Sequence, residues 1–246
     1  MTDWEASEKR ISCRSYADRR LDGETMEKLR VYMEQLNGIS GLHMQLISTD
    51  TPTLALAKTM FDGPVYTYIA AVGEKSSEGE EKVGYYGEDL VLYATKLGLG
   101  TCWVAGTYDR ASAQAEVQEG ENLWDVIPVG YATEKMPLRQ KVVRQAIRAR
   151  SRRPEEFLES EEKAPEWVLK GIEGVMRGPS AANRQPVNIV WKDGKVFARL
   201  WKSDKGLAYN DLGIAKKQFE VGAAQAGVKG HFLPGDMAEF VTESLP

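Results

Sequence analysis

The residues of this chain whose types and spacing could do chemistry fall in two places. Near the start, Lys9-Arg-Ile-Ser-Cys-Arg-Ser-Tyr16 sets Arg10, Ser12 and Arg14 at alternate positions. Alternate residues of an extended backbone share one face. Two guanidiniums and a hydroxyl on one face suit a phosphate. Far along the chain, Gly178-Pro-Ser-Ala-Ala-Asn-Arg-Gln-Pro186 is short, polar and bounded by Pro179 and Pro186. Each proline fixes φ and removes an amide donor. Between them Ser180, Asn183 and Gln185 offer donors and acceptors that could hold a flat heterocycle by its edge. Taken singly, each stretch also fits a plainer role. The first reads equally as a solvated basic segment, the second as an ordinary helix-to-strand connection, where Pro, Ser, Asn and Gly are the usual residues.

The whole-chain totals narrow the classes. With 246 residues, 42% hydrophobic and 28% charged, the chain has enough apolar material for one large domain or two small ones. A net charge of −4 argues against general nucleic-acid or anionic-membrane binding. Arg139 to Arg153 is densely basic; Lys141, Arg144 and Arg148 recur at helical intervals, and Arg150 and Arg152 alternate before Pro154. No apolar run approaches the ~20 residues that span a bilayer. Met1 to Arg10 is too polar and acidic for a signal peptide. The two cysteines, Cys13 and Cys102, form no framework and fit a reducing, cytoplasmic setting. Cys102 reads as packing rather than as a nucleophile. His43 and His231 are isolated, so no metal site is expected. Gly98-Leu-Gly100 is not a dinucleotide fingerprint, since it lacks the third glycine and follows a helix.

The elements that must position these residues follow from periodicity. Asp22 caps a helix to about Leu36, with Met26, Leu29, Met33 and Leu36 as its apolar stripe and Asn37-Gly38 as its end. His43 to Thr49 and Val65 to Val72 read as strands, and Thr53 to Phe61 as a short helix. Ser76 to Lys82 reads as an exposed charged loop before a helix from Gly87 to Leu97. Leu99 to Gly106 reads as a glycine-punctuated strand, and Val126 to Tyr131 as another. Glu155 to Lys163 looks like a linker. Trp167, Val168, Ile172, Val175 and Met176 recur roughly at helical spacing ahead of the proline-bounded loop. Asn188 to Leu200 reads as two strands joined by a type I′ turn at Asp193-Gly194. A last helix runs from Asp211 to Gly227, facing inward through Leu212, Ala215, Phe219, Ala223 and Ala226.

The two parts of the chain echo each other. Ala94-x-x-Leu-Gly-Leu-x-x-x-Trp103 lines up with Ala223-x-x-Ala-Gly-Val-x-x-x-Phe232. Two unrelated helix ends would look the same. A true repeat would mean two similar halves packed about a pseudo-twofold axis. The halves are not equivalent, because only the first carries Arg10, Ser12 and Arg14. Only the second carries the proline-bounded loop, whose counterpart is Gly38-Ile-Ser-Gly-Leu-His43. One composite ligand site per chain is the natural inference.

Taken together, Arg10-x-Ser-x-Arg14, Gly-Leu-Gly-Thr-Cys-Trp at 98–103, Gly130-Tyr131, Arg150-x-Arg152-x-Pro154 and Pro179-Ser-x-x-Asn-x-Gln-Pro186 resemble the FMN-dependent nitroreductase family. In ordinary members the proline loop follows soon after the arginine motif. Its late position here is similar to the subgroup in which two half-domains are fused in tandem. The resemblance implies an α+β, nitroreductase-like fold of two half-domains, 1–154 and 155–246, each an antiparallel sheet flanked by helices, together forming a pseudo-dimer. It implies FMN as cofactor and NADH or NADPH as reductant, with a nitroaromatic, quinone or other small electron-poor acceptor. A flavin carrier or sensor without turnover is the alternative.

In that family Arg10, Ser12, Arg150 and Arg152 would serve the flavin phosphate or its approach. Arg14 would lie by the N1/O2 edge of the ring, and Ala105 and Gly106 near N5. Pro179, Ser180, Ala181, Asn183 and Gln185 would come from the half that plays the partner subunit. No residue acts as nucleophile or general base. The resemblance implies no nucleic-acid or membrane partner, and either a self-sufficient monomer or a weak homodimer. Two departures touch substrate preference: many members carry an acidic residue where Ala105 stands, and an aromatic one where Val187 stands.

Overall fold

The computed structural model of the chain describes residues 1–135, 137–148, 151–201 and 207–243. In chain order its helices and strands are α1 (Asp3–Lys9), α2 (Gly23–Ser40), β1 (Gln45–Ser48), β2 (Thr67–Glu74), α3 (Ser77–Lys96), β3 (Gly100–Thr101), β4 (Glu121–Gly130), α4 (Leu138–Arg148), β5 (Leu158–Glu159), α5 (Glu166–Arg177), β6 (Val187–Lys192), β7 (Lys195–Leu200), α6 (Ala208–Gln225), β8 (Gly230–Phe232) and β9 (Ala238–Thr242). One sheet has the order β1-β2-β4-β3 and the other β5-β6-β7-β9-β8. All pairs are antiparallel except β5 on β6. With the edge strand β5 set aside, both sheets carry one order, and helix-strand-strand-helix-strand-strand occurs twice. The architecture is α+β, with two largely antiparallel sheets flanked by helices, as expected.

Each sheet buries one face under its own helices. Leu29, Met33 and Leu36 of α2 meet Ile69, Leu90, Val91 and Ile127 in the first core. Val168, Ile172 and Val175 of α5 meet Ile189, Val196, Leu212 and Phe219 in the second. Between them α3 and α6 cross closely, and glycine allows it. A Cβ built on Gly84 would overlap the backbone carbonyl of Asn210, and one on Gly213 would overlap the carbonyl of Glu81. Gly84 and Gly213 hold the same place relative to Gly98 and Gly227, and Glu81 and Asn210 do likewise. The crossing is thus symmetric.

The helix ends repeat as well. Gly98 and Gly227 are left-handed, with φ of 81° and 85°. The Leu99 amide returns to the Ala94 carbonyl, and the Val228 amide to that of Ala223, each at 3.0 Å. This is the glycine-terminated cap that satisfies orphan carbonyls at a helix end.

Several expectations need correction. Ser76 to Lys82 is no exposed loop: Ser76 caps α3, its Oγ accepting from the Gly79 amide, and Glu80 and Glu81 are buried against α6. The helix expected to end at Asn37-Gly38 continues to Ser40 and closes on left-handed Gly41. Asn37 points sideways instead, exchanging two hydrogen bonds with the Met44 backbone. Thr53 to Phe61 forms turns, not a helix, and Leu99 to Gly106 keeps only the two-residue β3. Glu155 to Lys163 is anchored rather than linker-like: Phe157 is fully buried and β5 joins the second sheet. Ala226 is exposed beyond the end of α6. The hairpin stands as expected, with Asp193 and Gly194 at φ of 51° and 74°.

Candidate functional site

The first arginine segment is extended because it is pinned on both sides. α1 opens with a reciprocal Thr2/Glu5 cap and stops at Arg10. Ser12 then bridges Thr101, the Cys13 amide donates to the Thr101 carbonyl at 2.8 Å, and Ser15 bridges Asp62. Cys13 turns inward, and Arg10, Ser12 and Arg14 all turn toward one cleft of about 700 Å³. A cleft of that size is ordinary for a cofactor or substrate.

Arg10 is held by both halves: its Nη2 donates to the Arg177 carbonyl at 3.0 Å, and its Nε sits 3.6 Å from Glu88. Glu88 is fully buried and accepts from Trp103 Nε1 at 2.9 Å and Gln218 Nε2 at 2.7 Å. Burial pushes its carboxyl upward, against the pull of Arg10. Among the described residues Arg14 Nε is buried without a hydrogen-bond partner, and Arg10 Nε has only the longer ion-pair contact with Glu88. A guanidinium N–H left without a partner beside a cleft is a strong donor for an anion.

The proline-bounded loop forms another wall through Pro179, Ser180, Ala181, Ala182 and Asn183. Its shape is strained, since Ala182, Asn183 and Gln185 all have positive φ, at 51°, 55° and 47°. Residues other than glycine hold such backbone only where surrounding contacts impose it. Here the Ala181 amide donates to Asp211 Oδ1 and the Gln185 amide to Ser180 Oγ, both at 2.9 Å. Asn183 Nδ2 donates to Ser151 Oγ at 3.1 Å. Ala105 and Gly106 line the same cleft, beside Trp103, Val104 and Met60.

Most of the expected site therefore converges: Arg10, Ser12, Arg14, Ala105, Gly106, Pro179, Ser180, Ala181 and Asn183 share one cleft. Arg152 and Gln185 do not line it. The Arg152 guanidinium donates to the carbonyls of Gln185 and Val187, to that of Glu156, and to Asn188 Oδ1, and it lies over the rings of Phe157 and Trp201. Gln185 Oε1 accepts from the Arg152 amide at 2.9 Å. Both residues fasten the segment before β5 to the second sheet, and the phosphate role expected of Arg152 is withdrawn for that reason. Arg150 lies outside the described residues.

The cleft also holds polar residues the sequence reading did not place there, among them Asp125, Asn210 and Asp211. Asp125 stands alone in the apolar run Leu123-Trp-Asp-Val-Ile-Pro-Val129, and a lone carboxylate in an apolar strand was the available signal. Burial, with Asp211 and Glu80 close by, pushes the Asp125 carboxyl up to about 8. Burial also pushes Asp211 up to about 7, against the Ala181 amide and Arg184, which pull it down. Among the described residues no cluster of His, Cys, Asp and Glu could hold a metal, and no helix is long and apolar enough to cross a membrane.

The fold is that of the nitroreductase class, and the sequence agrees. Residues 4–223 match the family model described as "Putative TM nitroreductase", so the chain belongs to that family. A solved nitroreductase-family structure from Thermotoga maritima is similar over 98% of this chain and 93% of its own, with a TM-score of 0.62 and 22% identity. A nitroreductase-family protein from Clostridium difficile covers 59% of this chain and 92% of its own, with a TM-score of 0.42 and 18% identity. An FMN-dependent nitroreductase from Clostridium difficile covers 53% and 88%, with a TM-score of 0.43 and 19% identity. No curated protein matches the chain.

Proposed function

We propose that this chain is a flavin-dependent oxidoreductase that passes a hydride from NADH or NADPH through FMN to a nitroaromatic, quinone or similar electron-poor acceptor. The observation that carries the reading is the unpaired, buried Nε of Arg14 in a cleft shared with Arg10, Ser12 and the 179–183 loop. FMN fits this donor set: its phosphate is a dianion for Arg10 and Ser12, and the polar edge of its ring is an acceptor for Arg14. When bound, FMN would supply the two-electron chemistry between nicotinamide and acceptor.

The chain's own residues do the rest. Glu88 and the Arg177 carbonyl hold Arg10 in place before any anion arrives. Arg14 offers fixed positive charge inside the cleft, where it opposes any negative charge that builds up there. Ser180 and Asp211 keep the loop in its strained shape. Trp103, tethered by Glu88, lines the cleft beside them.

We read 1–154 and 155–246 as the two half-domains of one pseudo-dimeric unit. The chain then needs no partner to complete its site, and a weak homodimer is compatible with it. A cytoplasmic setting fits the cysteine usage. The test is the purified protein with added FMN. A yellow protein, a raised melting temperature and NAD(P)H oxidation in the presence of a quinone are expected. Bound flavin without turnover would leave a carrier or sensor, and a colourless protein that FMN does not stabilise would overturn the reading.

A further inference from the structure

The floor of the cleft holds two carboxyls to which the flavin reading gives no part in the chemistry. Asp125 comes from β4 and Asp211 from α6, one from each half, and they are 2% and 3% exposed. The Val104–Val126 bridge makes Ala105 and Asp125 the next opposed pair, so Asp125 stands beside the wall formed by Ala105 and Gly106. Asn210 Nδ2 donates to Asp125 Oδ2 at 2.9 Å. Asp211 Oδ1 is taken by the Ala181 amide, but Asp211 Oδ2 and Asn210 Oδ1 are buried with no partner.

A buried carboxyl with one oxygen left over is costly as an anion. As an acid it is a donor waiting for an acceptor, and here it lines an open cleft. The charges acting on Asp125 are Asp211 and Glu80, both acidic; Glu80 of α3 accepts from the Asn210 amide at 3.2 Å. Arg184 and Glu80 act on Asp211. With Asp125 pushed up to about 8, its proton is present at neutral pH, while Asp211, at about 7, stands near its midpoint.

We propose that Asp125 and Asp211 form an acid pair whose carboxyl proton goes to the two-electron acceptor reduced in the cleft. This rests on the flavin reading above. A quinone gains a hydride from the reductant and one proton from Asp125. The carboxyl O–H bond breaks, an O–H bond forms on the acceptor, and Asp125 is left as a carboxylate. Asp211 returns the proton and is itself reprotonated by water. The same pair serves a nitro group, whose reduction also consumes protons.

The experiment is Asp125→Asn in the FMN-loaded full chain, which keeps size and neutrality but has no acidic proton. Quinone reduction should fall about 100-fold relative to ferricyanide reduction, which takes an electron and no proton, in line with general-acid contributions. The fall of wild-type kcat toward high pH, centred near 8, should vanish in the variant. Infrared difference spectra, which need no turnover, should show a carboxylic acid titrating near pH 8 in the wild type and absent in Asp125→Asn. An equal fall for both acceptors, or no carboxyl titrating above pH 6, would overturn the acid pair. Wild-type protein that binds FMN and reduces quinone while either result holds would leave the flavin reading standing. Asp125→Glu, which keeps an acidic proton, should restore part of the lost quinone rate; no recovery counts against the pair.

Discussion

The turns that follow α3 and α6 are built alike, whereas the connections that follow α2 and α5 are not. Gly98 and Gly227 close their helices with the same left-handed residue and the same returning amide. After α2 the chain turns at Gly41, and Asn37 reaches back to Met44. After α5 it enters the proline-bounded loop, with three non-glycine residues in left-handed backbone, fastened by Asp211 of α6. The difference separates two demands. Where the halves pack on each other, one geometry serves twice. Where the chain faces the cleft, only one half needs the strained, polar loop, and only the other needs the arginines.

The largest expected effect tests the symmetric part. Gly213→Val and Gly84→Val each force a side chain into a backbone carbonyl of the facing helix. Each should lower stability by about 3 kcal/mol or more, beyond ordinary overpacking, and calorimetry should find similar losses for the two. A loss at one site only would break the equivalence. Next comes the asymmetric part. Arg14→Gln removes a guanidinium whose Nε is buried without a hydrogen-bond partner among the described residues. FMN affinity, read by fluorescence titration, should fall about tenfold or more, the worth of a hydrogen bond to a charged group. The melting temperature without FMN should hold or rise.

A smaller effect concerns pH. Asp125 binds its proton more tightly folded than unfolded, between the ordinary value of 3.8 and about 8. The stability it contributes is therefore full below the lower value and is lost as pH rises through that window. Asp125→Asn should exceed wild type in unfolding free energy at pH 8 by at least about 1.4 kcal/mol, the worth of one pKa unit, with little difference near pH 4, as read by denaturant titration. Asp211 and Glu80, also raised, keep part of the decline in the variant. The smallest effect returns to the caps: Gly98→Ala and Gly227→Ala place a Cβ in left-handed backbone, at about 1 kcal/mol each, read by denaturant midpoints. Both sites are open, so strain alone is measured.

Much of this was legible in the chain. Asp22 before Met26, Leu29, Met33 and Leu36 marked α2, and Asp193-Gly194 between two apolar runs marked the β6–β7 hairpin, because caps and turns depend on a few adjacent residues. The alternation of Arg10, Ser12 and Arg14 was enough to put them on one face. Ser76 with acidic Glu78 and Glu80 also carried a helix-start signal, but the charge of the segment argued for exposure. It is buried because α6 lies across it: Lys216 reaches Glu81, and the Asn210 amide reaches Glu80. Periodicity records which face of a helix is apolar, not which polar residues meet a partner from the other half of the chain.

The sequence by itself put the alternating arginines early and the proline-bounded loop late, and matched the spacing around Gly98 and Gly227, since these features rest on local spacing and backbone preference. The tertiary structure alone decided that Arg152 is fastened to the second sheet rather than to the cleft, because three of its acceptors, on Gln185, Val187 and Asn188, lie far along the chain and only folding brings them to it. It alone brought Asp125 and Asp211 to one floor. A carboxyl's charge state depends on burial and on neighbours distant in sequence, and those exist only once α3, α6 and the first sheet have closed on each other.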